Sequence, residues 1–182
     1  MNYSLLTDYT GPLSLLIGYG FAVFVEAIFV KNLVDTLWDC VAPDGSTDPR
    51  IRPNAWQAQA LTFLEGFLFV AFLQLGLGYL IGLWLAMKVG GSWKRWLEEA
   101  DPKISKPGGQ TIFNIFLIGN GFTIVYAVVG YKLIGWIAAG RIRAMWVPIG
   151  IVIMTMIFWN WLQQFRKAPM SETEPAAVAS RA

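Results

Sequence analysis

The feature that most constrains this chain is a pair of long stretches without any charged side chain, residues 66–87 and 110–131. A transmembrane helix needs ~20 consecutive, mostly apolar residues to cross the hydrocarbon core of a bilayer. The whole chain fits this pattern, because 55% of its 182 residues are hydrophobic and only 14% are charged. Soluble domains carry roughly 25% charged residues. The sequence therefore predicts an integral membrane protein.

Four segments are long and apolar enough to cross the membrane. We predict an all-α, polytopic domain over residues 1–167, with transmembrane helices at about 12–37, 58–87, 110–131 and 144–165. They must be helices because backbone polar groups inside lipid have to bond within their own segment. Residues 168–182 form a small, polar tail without apolar periodicity, which we expect to be disordered.

The distribution of lysine and arginine predicts an orientation. Four crossings place the N-terminus, the second loop and the C-terminus on one side. That side carries eight basic residues: Lys88, Lys94, Arg95, Lys103, Lys106, Arg166, Lys167 and Arg181. The other side carries four: Arg50, Arg52, Arg141 and Arg143. Since basic residues are enriched in cytoplasmic loops, both termini are predicted to be cytoplasmic, in a bacterial inner membrane or an equivalent one.

Several kinds of chemistry are excluded by composition. The chain has one cysteine and no histidine. It cannot form an intramolecular disulfide, a histidine-ligated haem or zinc site, or a Ser-His or Cys-His catalytic pair. We therefore predict no metal and no cofactor. No basic stripe alternates with aromatic residues, so nucleic-acid binding is not predicted.

An acidic residue interrupts the apolar segment FAVFVEAIFVKN, which spans residues 21–32. Glu26 has no cation on its own helix face, because Lys31 lies about 140° around the helix from it. A lone carboxylate in hydrocarbon is expected to protonate unless another helix, water or a ligand pairs with it. Ionisable residues inside the membrane mark functional sites by default.

Other polar residues are predicted to lie near Glu26 in depth. A helical rise of ~1.5 Å per residue puts Glu26, Gln74 and Tyr126 about 21–24 Å from the inner edge. Asn120 lies at about 15 Å, and Glu65 lies above the others, near the outer interface. We predict that these five residues bind a ligand, and that Glu26 and Glu65 are the candidates for any catalytic role.

A structural interpretation of the same residues stays open. A neutral Glu26 that bonds to Gln74, Tyr126 or Asn120 would be an interhelical contact worth ~1 kcal/mol. Glu65 near the interface is equally compatible with a solvated carboxylate. Small residues also recur four positions apart at Gly18/Ala22 and Gly78/Gly82, and a third small pair is Gly119/Gly121. They favour close helix packing, within the chain or in a homo-oligomer or heteromeric membrane complex.

The first loop and second span, DPRIRPNAWQAQALTFLEGFLF, place Asp-Pro, then Pro and Ala-Trp, before an acidic residue at the head of a helix. This segment resembles the EXPERA-type membrane proteins, which include emopamil-binding sterol isomerases and the sigma-2 receptor. The resemblance covers about residues 15–90. It implies a four- or five-helix bundle in which acids at the positions of Glu26 and Glu65 face a ligand cavity. In that family the acids engage a cationic amine or the carbocation of sterol double-bond isomerisation.

The chain departs from the isomerases of that family, which also use a histidine near the acid of the second helix. This chain has no histidine, so the resemblance implies ligand binding more directly than isomerase chemistry. Three functions are compatible with the sequence. The first is binding of a lipidic or cationic hydrophobic ligand, with modification of a sterol or isoprenoid as an extension of it. The second is a non-catalytic subunit of a larger membrane complex, and the third is a small proton-coupled carrier.

Overall fold

The computed structural model describes residues 4–41, 55–96 and 108–167, and every element in these ranges is helical. The α-helices are α1 (Ser4–Gly20), α2 (Glu26–Val41), α3 (Ala55–Gln74), α4 (Tyr79–Trp96), α5 (Gly109–Ala138) and α6 (Trp146–Lys167). A π-helical turn, Phe21–Val25, joins α1 to α2, and a 3₁₀ turn, Ile142–Met145, precedes α6. The predicted all-α class is confirmed. The predicted tail, 168–182, lies outside the described residues.

Four helical segments are long and apolar enough to cross a membrane: Gly11–Val41, Trp56–Gln74, Gly109–Ala138 and Arg143–Gln164. They overlap all four predicted spans. The first segment runs without interruption through α1, the π-helical turn and α2, and is called the α1–α2 span below. At 31 and 30 residues, the first and third segments exceed the ~20 residues that cross the hydrocarbon core.

The predicted second span, 58–87, is not one helix. α3 ends at Gln74, and Gly76 has a φ of 72°, a left-handed conformation that favours glycine. Two backbone bonds close the helix end: Leu77 N–H donates to Phe72 O (2.7 Å) and Gly76 N–H donates to Leu73 O (3.2 Å). This is the Schellman pattern of helix termination. The uncharged stretch therefore contains a chain reversal.

After the reversal, α4 runs back along α3. Lys88 of α4 contacts Glu65 of α3, and these two residues stand 12 and 11 positions from Gly76. α4 has 18 residues, which corresponds to about 27 Å of helix. This length is close to the thickness of the hydrocarbon core. α4 is less apolar than the four segments named above and is not counted among them.

The remaining helices also alternate in direction. α5 is antiparallel to the α1–α2 span, since Gly18 meets Gly130 while Val34 meets Gly119. α6 runs antiparallel to α5, because Tyr126 meets Thr155 while Phe122 meets Phe158, and it is therefore parallel to the α1–α2 span. Trp159 Nε1 of α6 donates to Thr36 Oγ1 of α2 (2.9 Å). Among the described residues, five helical passages, called legs below, therefore alternate in direction, and Ser4 and Lys167 lie at opposite ends of the bundle. Four of the legs are long and apolar enough to cross a membrane. The shared side of the two termini stays a prediction, and a crossing by α4 as well would make the number of crossings odd.

The centre of the bundle is a close crossing of backbones. A Cβ atom built on Gly130 would lie 2.6 Å from Gly18 O, and one built on Gly66 would lie 2.8 Å from Ala22 O. The α1–α2 span is thus in backbone contact with α3 and α5 at once. Apolar side chains of both partner helices surround the fully buried Ala22: Phe69 and Val70 of α3 and Ala127 of α5. Small residues permit this approach, as in many membrane helix pairs.

We predict that Gly130→Ala destabilises the protein and that Gly121→Ala, on the same helix, does not. A Cβ atom at Gly130 would collide with the backbone of α1, whereas one at Gly121 would meet nothing within 4 Å. Overpacking costs about 1–3 kcal/mol, while alanine in an open helical position gains up to ~1 kcal/mol over glycine. Thermal unfolding in detergent measures both. Equal midpoints for the two variants would contradict the close crossing.

Candidate functional site

A cavity of about 390 Å³ lies between α2, α3, α4 and α5. It lies toward the end of the bundle where α2 ends and α3 begins. Apolar side chains line most of its wall: Val30, Val34, Trp38, Leu61, Ile112 and Ile115. Polar and charged side chains gather on the α3, α4 and α5 sides: Thr62, Glu65, Lys88, Ser92, Asn120 and Thr123. The cavity is therefore amphipathic.

The charged part of the wall is an ion pair between a buried carboxylate and a half-buried ammonium group. Glu65 is 3% exposed, and its Oε1 accepts two hydrogen bonds, from Lys88 Nζ and from Trp84 Nε1, both at 2.6 Å. The Lys88 side chain is 20% exposed. Charge-assisted bonds of this length are strong. A buried carboxylate needs such a partner, because an unpaired buried charge is very costly.

Lys88 also joins α4 to α5. Its Nζ donates to Asn120 Oδ1 (2.7 Å) and lies 5.3 Å from the centre of the Phe116 ring. Asn120 Nδ2 in turn donates to Phe116 O (2.7 Å), which fixes the amide orientation. One ammonium group therefore links three helices at the cavity wall. The chain reversal at Gly76 is what brings Lys88 to this place.

Glu26 is the first residue of α2, directly after the π-helical turn, and it is fully buried. Its carboxyl group lies against Gly66, where any Cβ atom would collide with Oε2. Neither carboxyl oxygen has a hydrogen-bond partner among the described residues. Thr123 is the nearest candidate partner: its hydroxyl lies close enough to act on the carboxyl group as a weak hydrogen-bond donor, but the bond that it makes goes to Gly119 O (3.2 Å). Glu65 and Lys88 act on the carboxyl group through their charges. π-Helical turns often occur at functional sites.

The five predicted ligand-binding residues do not form one group. Glu65 and Asn120 line the cavity and are joined through Lys88. Glu26 lies beside the ion pair but is not part of the cavity wall. Tyr126 donates from its hydroxyl to Thr155 Oγ1 (3.1 Å), away from the cavity. Gln74 Oε1 accepts from Tyr19 OH (2.8 Å) at the far end of α3.

The predicted depth of Gln74 assumed that residues 58–87 form one straight helix. That prediction is wrong, because α3 stops at Gln74 and Lys88 belongs to the returning α4. The predicted hydrogen bond from Glu26 to Gln74, Tyr126 or Asn120 is likewise not formed. The structural interpretation of Glu26 depended on that bond.

Sequence reasoning missed Lys88, which was assigned to a membrane boundary, and also Trp84, Thr123 and Gly66. The sequence contains one indication of the chain reversal that brings Lys88 to Glu65. The segment LGLG at residues 75–78 has two glycines where a helix can end, and a reversal there would pair Glu65 with Lys88. The predicted Gly78/Gly82 face makes little contact within the described chain: a Cβ atom at Gly82 would meet nothing within 4 Å, and one at Gly78 would meet only Leu73 (3.5 Å).

Comparison of the chain with protein-family models, with curated proteins and with solved structures found no match. The chemistry of the site is therefore argued from its own geometry. Among the described residues, no three His, Cys, Asp or Glu side chains are grouped to hold a metal ion. What the residues do provide is an apolar volume with hydrogen-bonding and charged groups on one side. That arrangement suits a molecule that has both an apolar body and a polar head.

We predict that Glu26→Met raises the stability of the protein. Methionine has a similar length without the two carboxyl oxygens, and leaving a buried polar group unsatisfied costs about 1–3 kcal/mol. We expect a gain of about 1–2 kcal/mol in the free energy of unfolding, measured by denaturation in mixed micelles. Glu26→Gln, which keeps a buried polar group, is the matched control and should show no gain. A loss of stability in Glu26→Met would mean that the carboxyl group has a partner.

Proposed function

We propose that this chain is an integral membrane protein that binds an amphipathic, lipid-like ligand in the cavity between α2, α3, α4 and α5. The observation that supports this proposal most is the pairing of an apolar wall with the Glu65–Lys88 ion pair. Ligand sites in proteins typically have volumes of ~300–1,000 Å³, are mostly apolar and contain a few convergent polar groups. The cavity, at about 390 Å³, has these properties.

The ligand's apolar part would lie along α2 and α5, where Val34, Trp38 and Ile115 form the wall. Its polar part would lie at Glu65, Lys88 and Asn120. Because a ligand must replace any water that solvates these groups, a head group that restores hydrogen bonds is required. The EXPERA resemblance supports the same class of site, with Glu65 at the cavity. We do not extend the proposal to sterol isomerisation, since the chain lacks the histidine of those enzymes.

The five-leg arrangement also supports a new proposal for the orientation. α2, α4 and α6 end at the same end of the bundle, and α3 and α5 begin there. In the sequence, the ends of α4 and α6 and the segments that follow α2, α4 and α6 carry nine basic residues: Arg50, Arg52, Lys94, Arg95, Lys103, Lys106, Arg166, Lys167 and Arg181. The turn before α6, at the other end, carries Arg141 and Arg143. By the positive-inside rule, the nine-residue end is cytoplasmic, and the N-terminus lies on the opposite side.

We predict that the two termini are found on opposite sides of the membrane. In intact cells, an N-terminal epitope should be labelled by an impermeant antibody or reagent, because α1 begins outside. A C-terminal epitope should be labelled only after permeabilisation. Each tag serves as the control for the other in a doubly tagged protein. Protection of both tags would contradict the five-leg topology and restore the even number of crossings.

We predict that filling the cavity displaces its ligand. Ala58 is a small, exposed residue at the cavity wall, and Ala58→Phe would occupy the volume that a ligand needs. Ala86 of α4 is also exposed but does not line the cavity, so Ala86→Phe is a matched control. Native mass spectrometry of detergent-purified protein measures lipid that co-purifies. We expect at least a tenfold drop in occupancy for Ala58→Phe alone.

Two outcomes would contradict the binding proposal. One is wild-type protein that is monodisperse and folded but retains no lipid, even after incubation with membrane extract. The other is equal retention by the two phenylalanine variants. Protein that is unstable unless its membrane partners are co-expressed would instead support the alternative of a subunit in a larger complex.

A further inference from the structure

We infer that Lys88 sets the charge of the ligand: the cavity selects a lipid with an uncharged hydroxyl head group over one with a cationic amine. This inference rests on the proposed function and names the chemistry of its ligand. It differs from the expectation that the EXPERA resemblance implies, which is a ligand with a cationic head group. The difference arises from one residue, because Lys88 occupies the position at Glu65 that a ligand's ammonium group would take.

The charge of the cavity wall is already balanced. Among the described residues that line the cavity, only Glu65 and Lys88 are charged, and they are paired at 2.6 Å. A second ammonium group beside Lys88 would be repelled by it. The alternative is to displace Lys88, which would break its bonds to both Glu65 and Asn120. A cationic ligand therefore either meets a like charge or breaks two existing bonds.

The hydrogen bonds that remain open also favour a hydroxyl group. An ammonium group has three N–H donors, and Lys88 uses two of them, on Glu65 Oε1 and Asn120 Oδ1. Glu65 Oε1 accepts two bonds, whereas Oε2 accepts none among the described residues. The ion pair thus offers one donor and one acceptor close together. A hydroxyl group both donates and accepts, whereas a protonated amine only donates and an ionised carboxylate only accepts.

Other ionisable groups near the site do not change this argument. Glu26 interacts electrostatically with Glu65 and Lys88, but it does not line the cavity and is fully buried. It therefore offers the ligand no contact. Asn120 is fixed through both ends of its amide, by Lys88 and by Phe116 O. Trp84 donates to the same Glu65 oxygen as Lys88 and helps to hold that oxygen in place.

The test uses three probes with the same chain and different heads: dodecanol, dodecylamine and dodecanoate. Their binding to the purified full-length protein in a neutral detergent at neutral pH is compared by native mass spectrometry. For the wild-type protein we expect dodecanol to bind at least tenfold more tightly than dodecylamine and dodecanoate. In Lys88→Gln, which frees Glu65, we expect the order of alcohol and amine to reverse, with the amine at least tenfold tighter.

Lys31→Gln is the matched control. Lys31 is paired with Asp35 (2.7 Å) and does not line the cavity, so its loss removes the same charge and should keep the wild-type order. A wild-type protein that prefers dodecylamine overturns the inference while leaving lipid binding intact. So does a Lys88→Gln variant that binds in the wild-type order. If Lys88→Gln does not fold, the wild-type order alone decides. If none of the three probes binds, both the inference and the proposed function are overturned.

Discussion

The structure depends on a contact between backbones at Gly18, Ala22, Gly66 and Gly130. Lipid tails are as apolar as leucine, so helices in a membrane associate through close packing and polar contacts and not through the hydrophobic effect. Here three helices come together at residues that lack a large side chain. The contact fixes the α1–α2 span against α3 and α5. It also sets the position of Glu26 at Gly66, and therefore beside Glu65, the next residue along α3.

A second constraint, the reversal at Gly76, completes the site. Without it, Glu65 would be a carboxylate without a cation at membrane depth. With it, α4 returns along α3 and supplies both Lys88 and Trp84 to the same carboxylate oxygen. The two constraints meet on α3. The backbone contact positions the acid, and the reversal positions the base, so the ion pair in the wall of the amphipathic cavity is held from both sides.

These two constraints also explain how far the sequence could be interpreted. Length and apolarity are local properties, so the positions of the first, third and fourth spans were predictable. Hydropathy does not change when a chain reverses between two apolar helices, and for that reason the break at Gly76 was hidden in an uncharged stretch. The hidden break misplaced Gln74 in depth and assigned Lys88 to the loop after the second span and not to the site. Glu65 and Asn120 were found because their polarity alone distinguishes them from their neighbours, but their common partner was not.

Glu26 remains the residue that packing does not explain. As an interhelical contact it would need a hydrogen bond to Gln74, Tyr126 or Asn120. Each of these is already bonded elsewhere, to Tyr19, to Thr155, and to Lys88 and Phe116. A buried polar group without a partner lowers stability, and an apolar residue would serve the crossing at Gly66 equally well. The cost of keeping a carboxyl group there, at the end of a π-helical turn and within electrostatic reach of Lys88, is the reason that Glu26 stays a candidate functional residue although it does not line the cavity.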